Sequence, residues 1–185
     1  MRIVGGKYKG RQFNPGRQFK ARPTTNMAKE NLFNILQHRL DFKTLKILDL
    51  FSGTGSISFE FASRGCRDIT SVETDFRHHR FIQEVIAKIG EKHIRAVRAN
   101  AFRFLESSTG KFDLIFADPP FDHPRFNEVP RLVLNSELLA HAGLFILEHS
   151  GKVDFSDYSE WLELRRYGNV HFSFFRSPDP GETDS

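Results

Sequence analysis

Lys46-Ile47-Leu48-Asp49-Leu50-Phe51-Ser52-Gly53-Thr54-Gly55 decides how the chain is read. Ile47 to Leu50 is a short apolar run, the pattern of a buried strand. Gly53-Thr54-Gly55 lets the backbone turn sharply and approach a ligand closely. A helix through Phe59 and Phe61 follows and stops at Gly65. The next strand, Ile69 to Glu73, ends in an acid 20 residues beyond Gly53. A carboxylate there can accept both ribose hydroxyl protons of an adenosine-containing cofactor.

Two residues narrow the cofactor. A dinucleotide loop wants G-x-G-x-x-G facing a pyrophosphate, and Ser58 stands where the third glycine belongs. Asp49 at the mouth of the loop repels a pyrophosphate. It attracts the ammonium and sulfonium of S-adenosylmethionine. The competing reading is an ordinary strand-to-helix turn, against which Glu73 counts.

Outward from this unit, residues 76–89 are amphipathic, with Phe81, Ile82, Val85, Ile86 and Ile89 at helical spacing. Ile94 to Val97 reads as a strand, Phe102 to Leu105 as a short helix and Phe112 to Ala117 as an almost wholly apolar central strand. Residues 127–140 read as helix and Leu144 to Leu147 as a fifth strand. Leu162 to Arg166 and Val170 to Phe175 flank Gly168-Asn169 as a closing hairpin. Strands alternating with helices imply an α/β, Rossmann-like, mostly parallel seven-stranded sheet with helices on both faces. Its ligand lies beyond the carboxyl ends of the strands, where the strand order reverses. This catalytic domain spans residues 46–176. Residues 177–185, with Pro, Gly and acids, read as a disordered tail.

Asp118-Pro119-Pro120-Phe121 follows the central strand. An exocyclic amine on a base is a poor nucleophile, because its lone pair is delocalised into the ring. Two acceptors on its protons pull the nitrogen toward tetrahedral geometry. Asp118 offers a carboxylate whose direction the following proline restricts, and the Pro119 carbonyl is the second acceptor. Pro120 brings no competing N–H. Phe121 offers a flat face for the base, worth about 1–3 kcal/mol. Alone, the tetrapeptide is a proline turn; beside the glycine loop it is a candidate catalytic site. Asn100-Ala101-Phe102, after the third strand, either meets the adenine edge or merely caps a helix.

Residues 1–45 form an amino-terminal extension: two short strands around Gly5-Gly6, an extended loop, and a helix capped by Thr24 or Thr25. Its basic residues, among them Arg2, Lys7, Lys9, Arg11 and Arg22, far outnumber its acids, which points to phosphates and RNA. The alternative is a solvated tail. The whole chain has 185 residues and a formal charge of +4. Its one cysteine, Cys66, excludes an internal disulfide and a cysteine metal cluster, and no metal is expected. With no apolar run of membrane length and no signal-peptide pattern, a cytoplasmic monomer without membrane contact is the expectation. Cys66 and Trp161 read as packing residues, and His78-His79 as surface.

Together these residues resemble the RsmD family of bacterial methyltransferases, which modify the exocyclic N2 of one guanine in 16S ribosomal RNA. The resemblance runs from Met1-Arg2-Ile3-Val4-Gly5-Gly6 and Lys9-Gly10-Arg11 through Arg22-Pro23-Thr24-Thr25 and Lys29-Glu30-Asn31-Leu32-Phe33-Asn34. It continues in Asp49 to Gly55, Val72-Glu73, Asp118 to Phe121 and Tyr167-Gly168. It implies that Asp49, Phe51, Ser52, Gly53, Gly55, Glu73, Thr74, Asn100, Ala101 and Phe102 line an S-adenosylmethionine site. It further implies that Asp118 to Phe121 hold the guanine, and that Arg2, Lys7, Lys9, Arg11, Arg22 and Thr24 help grip RNA. The partner would be 16S rRNA or the assembling small subunit. The chain departs from the family pattern at Asn26-Met27 and Ser56-Ile57-Ser58. A DNA adenine-N6 or protein glutamine methyltransferase, or a non-catalytic RNA-binding assembly factor, are the other readings of the same residues.

Overall fold

The computed structural model describes residues 1–16 and 25–177. Five parallel strands form most of its sheet: β1 (Lys46–Leu50), β2 (Asp68–Glu73), β3 (Ile94–Arg98), β4 (Phe112–Ala117) and β5 (Leu139–His149). β6 (Trp161–Tyr167) and β7 (Val170–Arg176) pair antiparallel, and β7 pairs antiparallel with β5. The spatial order is β3-β2-β1-β4-β5-β7-β6. The order reverses between β1 and β4, so a crevice opens beyond their carboxyl ends.

Alternation along each strand sends side chains to opposite layers. Ile47, Leu114, Phe116, Leu144 and Ile146 join one apolar cluster; Leu48, Leu50, Ile115, Ala117, Phe145 and Leu147 join the other. The first layer receives α1 (Asn26–Arg39), α2 (Ser56–Ser63) and α3 (Phe76–Ile89); the second receives α4 (Ala101–Ser107) and α5 (Val129–Leu134). Phe33, Phe42 and Phe61 meet edge to face, with Phe33 and Phe61 centroids 4.7 Å apart. Such pairs add about 0.5–1.5 kcal/mol each beyond burial. Thr25 caps α1 through a bond from the Ala28 N–H (3.2 Å), and Asp75 caps α3 through Arg77 (2.8 Å) and His78 (3.1 Å).

Two expectations need correction. Residues 1–13 do fold back on themselves: Ile3 N–H donates to the Arg11 carbonyl (3.0 Å) and Phe13 N–H to the Met1 carbonyl (2.9 Å). They form only one isolated bridge, Arg2 with Gln12, rather than two strands. The reversal begins at Gly5-Gly6 as expected and continues through a 3-10 turn at Gly6–Tyr8 rather than a tight two-residue turn. Gly6, at φ +70°, lies against α2, where a Cβ would stand 1.9 Å from the Ser63 carbonyl oxygen. That glycine permits close approach to a helix. The helix expected over 127–140 is also shorter. A 3-10 turn at Phe126–Glu128 leads into α5, which ends at Leu134, and β5 begins at Leu139. β5 pairs first at Phe112 with Leu139, then slips to Leu114 with Leu144 around Ala142, whose φ is +55°. A bulge of this kind escapes a reading by period.

The amino-terminal segment shares the main core. Ile3, Phe13, Leu32 and Phe33 cluster with Phe59 and Phe61. A buried ion group fastens it. Lys29, 1% exposed, lies 3.2 Å from Glu60, which is 0% exposed and is also paired with Arg64. Lys29 Nζ donates to the Arg2 carbonyl (2.5 Å) and to Ser56 Oγ (2.8 Å), and Val4 N–H donates to Glu60 (2.6 Å). Lys29 therefore belongs to the interior and not to the basic surface. Thr24, Arg22 and the rest of residues 17–24 lie outside the described residues, as does the tail beyond Ser177. Among the described residues no helix is long and apolar enough to cross a membrane.

Candidate functional site

A cavity of about 700 Å³ opens at the carboxyl ends of the parallel strands. Its walls include Asp49, Phe51, Ser52, Gly53, Glu73, Thr74, Asn100, Ala101, Phe102 and all of Asp118 to Phe121. Of the residues read as cofactor ligands only Gly55 is not in its wall; it lies behind, with a Cβ position 3.0 Å from the Phe59 ring and φ +72°. Met1, Pro15 and Gly16 bring the amino-terminal segment to one side, and Asn169 and Val170 bring the β6–β7 turn.

Each part of the loop has a local cause. Asp49 is 1% exposed, and its Oδ2 accepts from Ser58 Oγ (2.6 Å) and Ser58 N–H (3.1 Å) in the first turns of α2. Serine at the place of the third glycine thus orients Asp49. Burial pushes the Asp49 carboxyl up to about 7; the Ser58 bonds oppose the shift and nearby Glu73 adds to it. Phe51 turns the chain out of β1 at φ +57°, a conformation an L residue rarely takes. Its ring meets Phe102 edge to face at 5.5 Å. Glu73 accepts from Gly53 N–H (2.7 Å) through Oε2 and from Asp75 N–H (2.8 Å) through Oε1, so the acid of β2 holds the glycine loop.

Asn100 caps α4: its Oδ1 accepts from Phe102 N–H (3.0 Å) and Arg103 N–H (3.2 Å). The capping role is therefore real, and the residue still lines the cavity. Phe102 is also stacked with His123 (centroids 4.9 Å apart) and covered by the Arg125 guanidinium at 4.3 Å.

At the end of β4 the Asp118 N–H reaches the Leu50 carbonyl (3.4 Å). The Pro120 carbonyl accepts from His123 N–H (2.9 Å), closing a turn. Among the described residues no hydrogen bond reaches the Asp118 carboxyl or the Pro119 carbonyl. Phe121 is 42% exposed although large and apolar. Burial first, then Glu148 and Asp49, push the Asp118 carboxyl well above the usual carboxylate range.

Two residues of the site went unread in the sequence. Glu148, 3% exposed in β5, lines the cavity beside Asp118. It directly follows the apolar run Leu144 to Leu147, as Asp118 directly follows β4, and that parallel was the available signal. His78, read as surface, also lines the cavity; it lies 3.9 Å from Glu73, whose carboxylate raises its pKa. Cys66 is buried as expected. The remaining basic residues are less uniform than their sequence suggests. Arg2, Lys7, Lys9 and Arg11 are all exposed, and Lys7 is also paired with Glu91 at 3.0 Å. Among the described residues no group of His, Cys, Asp and Glu could hold a metal ion.

The chain carries a net +4, yet five acidic residues, Asp49, Glu73, Asp75, Asp118 and Glu148, line one cavity. Burial disfavours the charge of Asp49 and Asp118, so the site suits a cation and opposes a pyrophosphate. With the reversed strand order, this donor set defines the class of S-adenosylmethionine-dependent methyltransferases. The match is specific: residues 1–176 fit the family described as Conserved hypothetical protein 95, and the chain belongs to that family, the RsmD family. The ribosomal RNA small subunit methyltransferase D of Buchnera aphidicola subsp. Baizongia pistaciae is 26% identical over 179 residues, covering 95% of this chain and 91% of that one. The solved structure of yhhF from Escherichia coli superposes with a TM-score of 0.82 at 27% identity, covering 97% of this chain and 98% of that one. The Thermus thermophilus 16S rRNA N2 methyltransferase RsmC, solved with AdoMet and guanosine, superposes at 0.70 with 20% identity, covering 96% and 49%; that likeness is one of fold.

Proposed function

We propose that the chain transfers a methyl group from S-adenosylmethionine to the exocyclic N2 amine of a guanine in 16S ribosomal RNA. The carrying observation is the end of β4. A carboxyl and a carbonyl without hydrogen bonds among the described residues, Asp118 and Pro119, stand beside exposed Phe121 in the cavity that Gly53 and Glu73 line. The cofactor supplies an electrophilic methyl on a sulfonium. Asp118 and Pro119 accept the two amine protons and turn the nitrogen lone pair toward that methyl. Phe121 stacks on the base. Displacement is direct and in line, so acceleration comes from positioning and electrostatics. The methylated amine is strongly acidic, and Asp118 passes its proton to water. A positive charge among these carboxylates favours the ionised form of Asp118 that this role needs.

Asp49 and Glu73 hold the cationic and ribose ends of the cofactor, with Phe51, Ser52, Gly53, Gly55, Thr74, Asn100, Ala101 and Phe102 around it. Residues 1–45 act as the RNA-contacting extension, through Arg2, Lys7, Lys9, Arg11, Arg22 and Thr24, and residues 46–176 as the catalytic domain. The chain works as a cytoplasmic monomer on 16S rRNA or the assembling small subunit. Incubation with methyl-labelled cofactor and undermodified 30S subunits, followed by digestion to nucleosides, tests this. N2-methylguanosine is the expected product. N6-methyladenosine, or binding to subunits with no transfer, overturns it.

A further inference from the structure

One buried acid of the site has no part in the reaction as drawn so far. Glu148 is 3% exposed and lines the cavity. Its position follows from the sheet. β4 and β5 run parallel, and Ala117 is the register partner of Leu147. Asp118 and Glu148 are the next residues on each strand. Neighbouring strands lie about 4.8 Å apart. Residues at matching positions on them point to the same layer, and Glu148 is electrostatically felt at Asp118. The site thus presents two carboxyl groups side by side to whatever amine Asp118 receives.

Two adjacent acceptors can take two adjacent donors. Among the standard bases only guanine has a ring N–H, at N1, next to its exocyclic amine. Adenine places the N1 lone pair beside its amine, and cytosine its N3 lone pair. A lone pair facing a buried carboxylate is repelled. We propose that Glu148 is the specificity-determining residue, accepting the N1–H of the target guanine while Asp118 and Pro119 take the N2 amine. This rests on the guanine reading given above. A site built to bond an N–H rejects an analogue lacking it far more strongly than a site that only excludes bulk.

The test uses 2-aminopurine, which keeps the 2-amino group and has a bare N1. Small subunits are reconstituted from 16S RNA carrying guanine or 2-aminopurine at the labelled position, and kcat/KM is measured for the wild type and Glu148→Gln. The wild type is expected to prefer guanine by about 100-fold or more. The amide of E148Q can donate to a bare N1, so it should lose at least about 30-fold on guanine and shrink the preference below about 10-fold. A wild type that accepts 2-aminopurine within about threefold of guanine overturns the proposal without any variant. So does an E148Q enzyme slowed equally on both substrates, because a merely structural role predicts that result. Calorimetry with S-adenosylhomocysteine, unchanged within about threefold, shows that E148Q keeps its fold. A wild-type product other than N2-methylguanosine sinks the parent reading instead, and is seen before any variant is made.

Discussion

Lowering the pH should release the cofactor, because Asp49 must be charged to hold a cation. Its carboxyl is pushed up to about 7 by burial, so it is half ionised at pH 7 and about 3% ionised at pH 5.5. If only the ionised form binds well, affinity falls by the ratio of these fractions. That is about 16-fold, or about 1.6 kcal/mol at about 1.36 kcal/mol per tenfold step. The α-amine of the ligand, with an ordinary pKa near 8, stays charged across this window. His78, raised above its ordinary value by Glu73, stands in the same wall. Its growing positive charge at low pH acts in the same direction, so a control must separate the two. Calorimetric titration with S-adenosylhomocysteine at pH 5.5, 6.0, 6.5 and 7.0 gives the profile, and the Asp49→Asn protein gives the control. That variant should bind weakly and with little slope. A wild-type Kd constant within about twofold from 5.5 to 7.0 refutes the reasoning. An equal slope in both proteins assigns the effect to His78 and removes Asp49 from the account.

Asp118→Ala should abolish methyl transfer to 30S subunits while leaving cofactor affinity within a few-fold, read by labelled transfer and calorimetry side by side. Lys29→Met leaves Glu60 buried with one cation fewer, and should lower the urea unfolding free energy by about 3 kcal/mol. The folded pKa of Asp49 lies above its unfolded value near 3.9, so the folded chain holds that proton more tightly. This stabilisation is complete below pH 4 and disappears as the pH rises through 7. Between pH 5 and 8 the wild type should lose about 3 kcal/mol more stability than Asp49→Asn, measured by denaturant unfolding.

Most of the sheet was legible because buried parallel strands are short apolar runs closed by glycine or acid. α3 was read at the residues it occupies, since its apolar positions recur at helical spacing and Asp75 and Gly90 mark its ends. What escaped depends on tertiary contact. Glycines at 5 and 6 look like a reversal in one dimension, and only the approach of Ser63 reveals another purpose. The bulge at Ala142 lengthens β5 backward into residues whose pattern says helix. His78 is one helical turn from Asp75, and whether it meets solvent or Glu73 depends on how α3 leans on β2. In the site, Asp49, Glu73 and Asp118 announced themselves through motifs. Glu148 has none, and its meaning appears only when β5 is laid beside β4.

The last strand to be made sits inside the sheet. β7 pairs with β5 on one side and β6 on the other, so β6 has no place until residues 170–176 arrive. On a translating ribosome, β5, with Leu144 to His149 buried in the finished fold, must wait with one edge unpaired while the next twenty-odd residues emerge. A chain cut short after His149 keeps the glycine loop, Glu73 and Asp118 to Phe121, and still exposes a ready template for aggregation. Expression trials of fragments should therefore retain everything through Arg176.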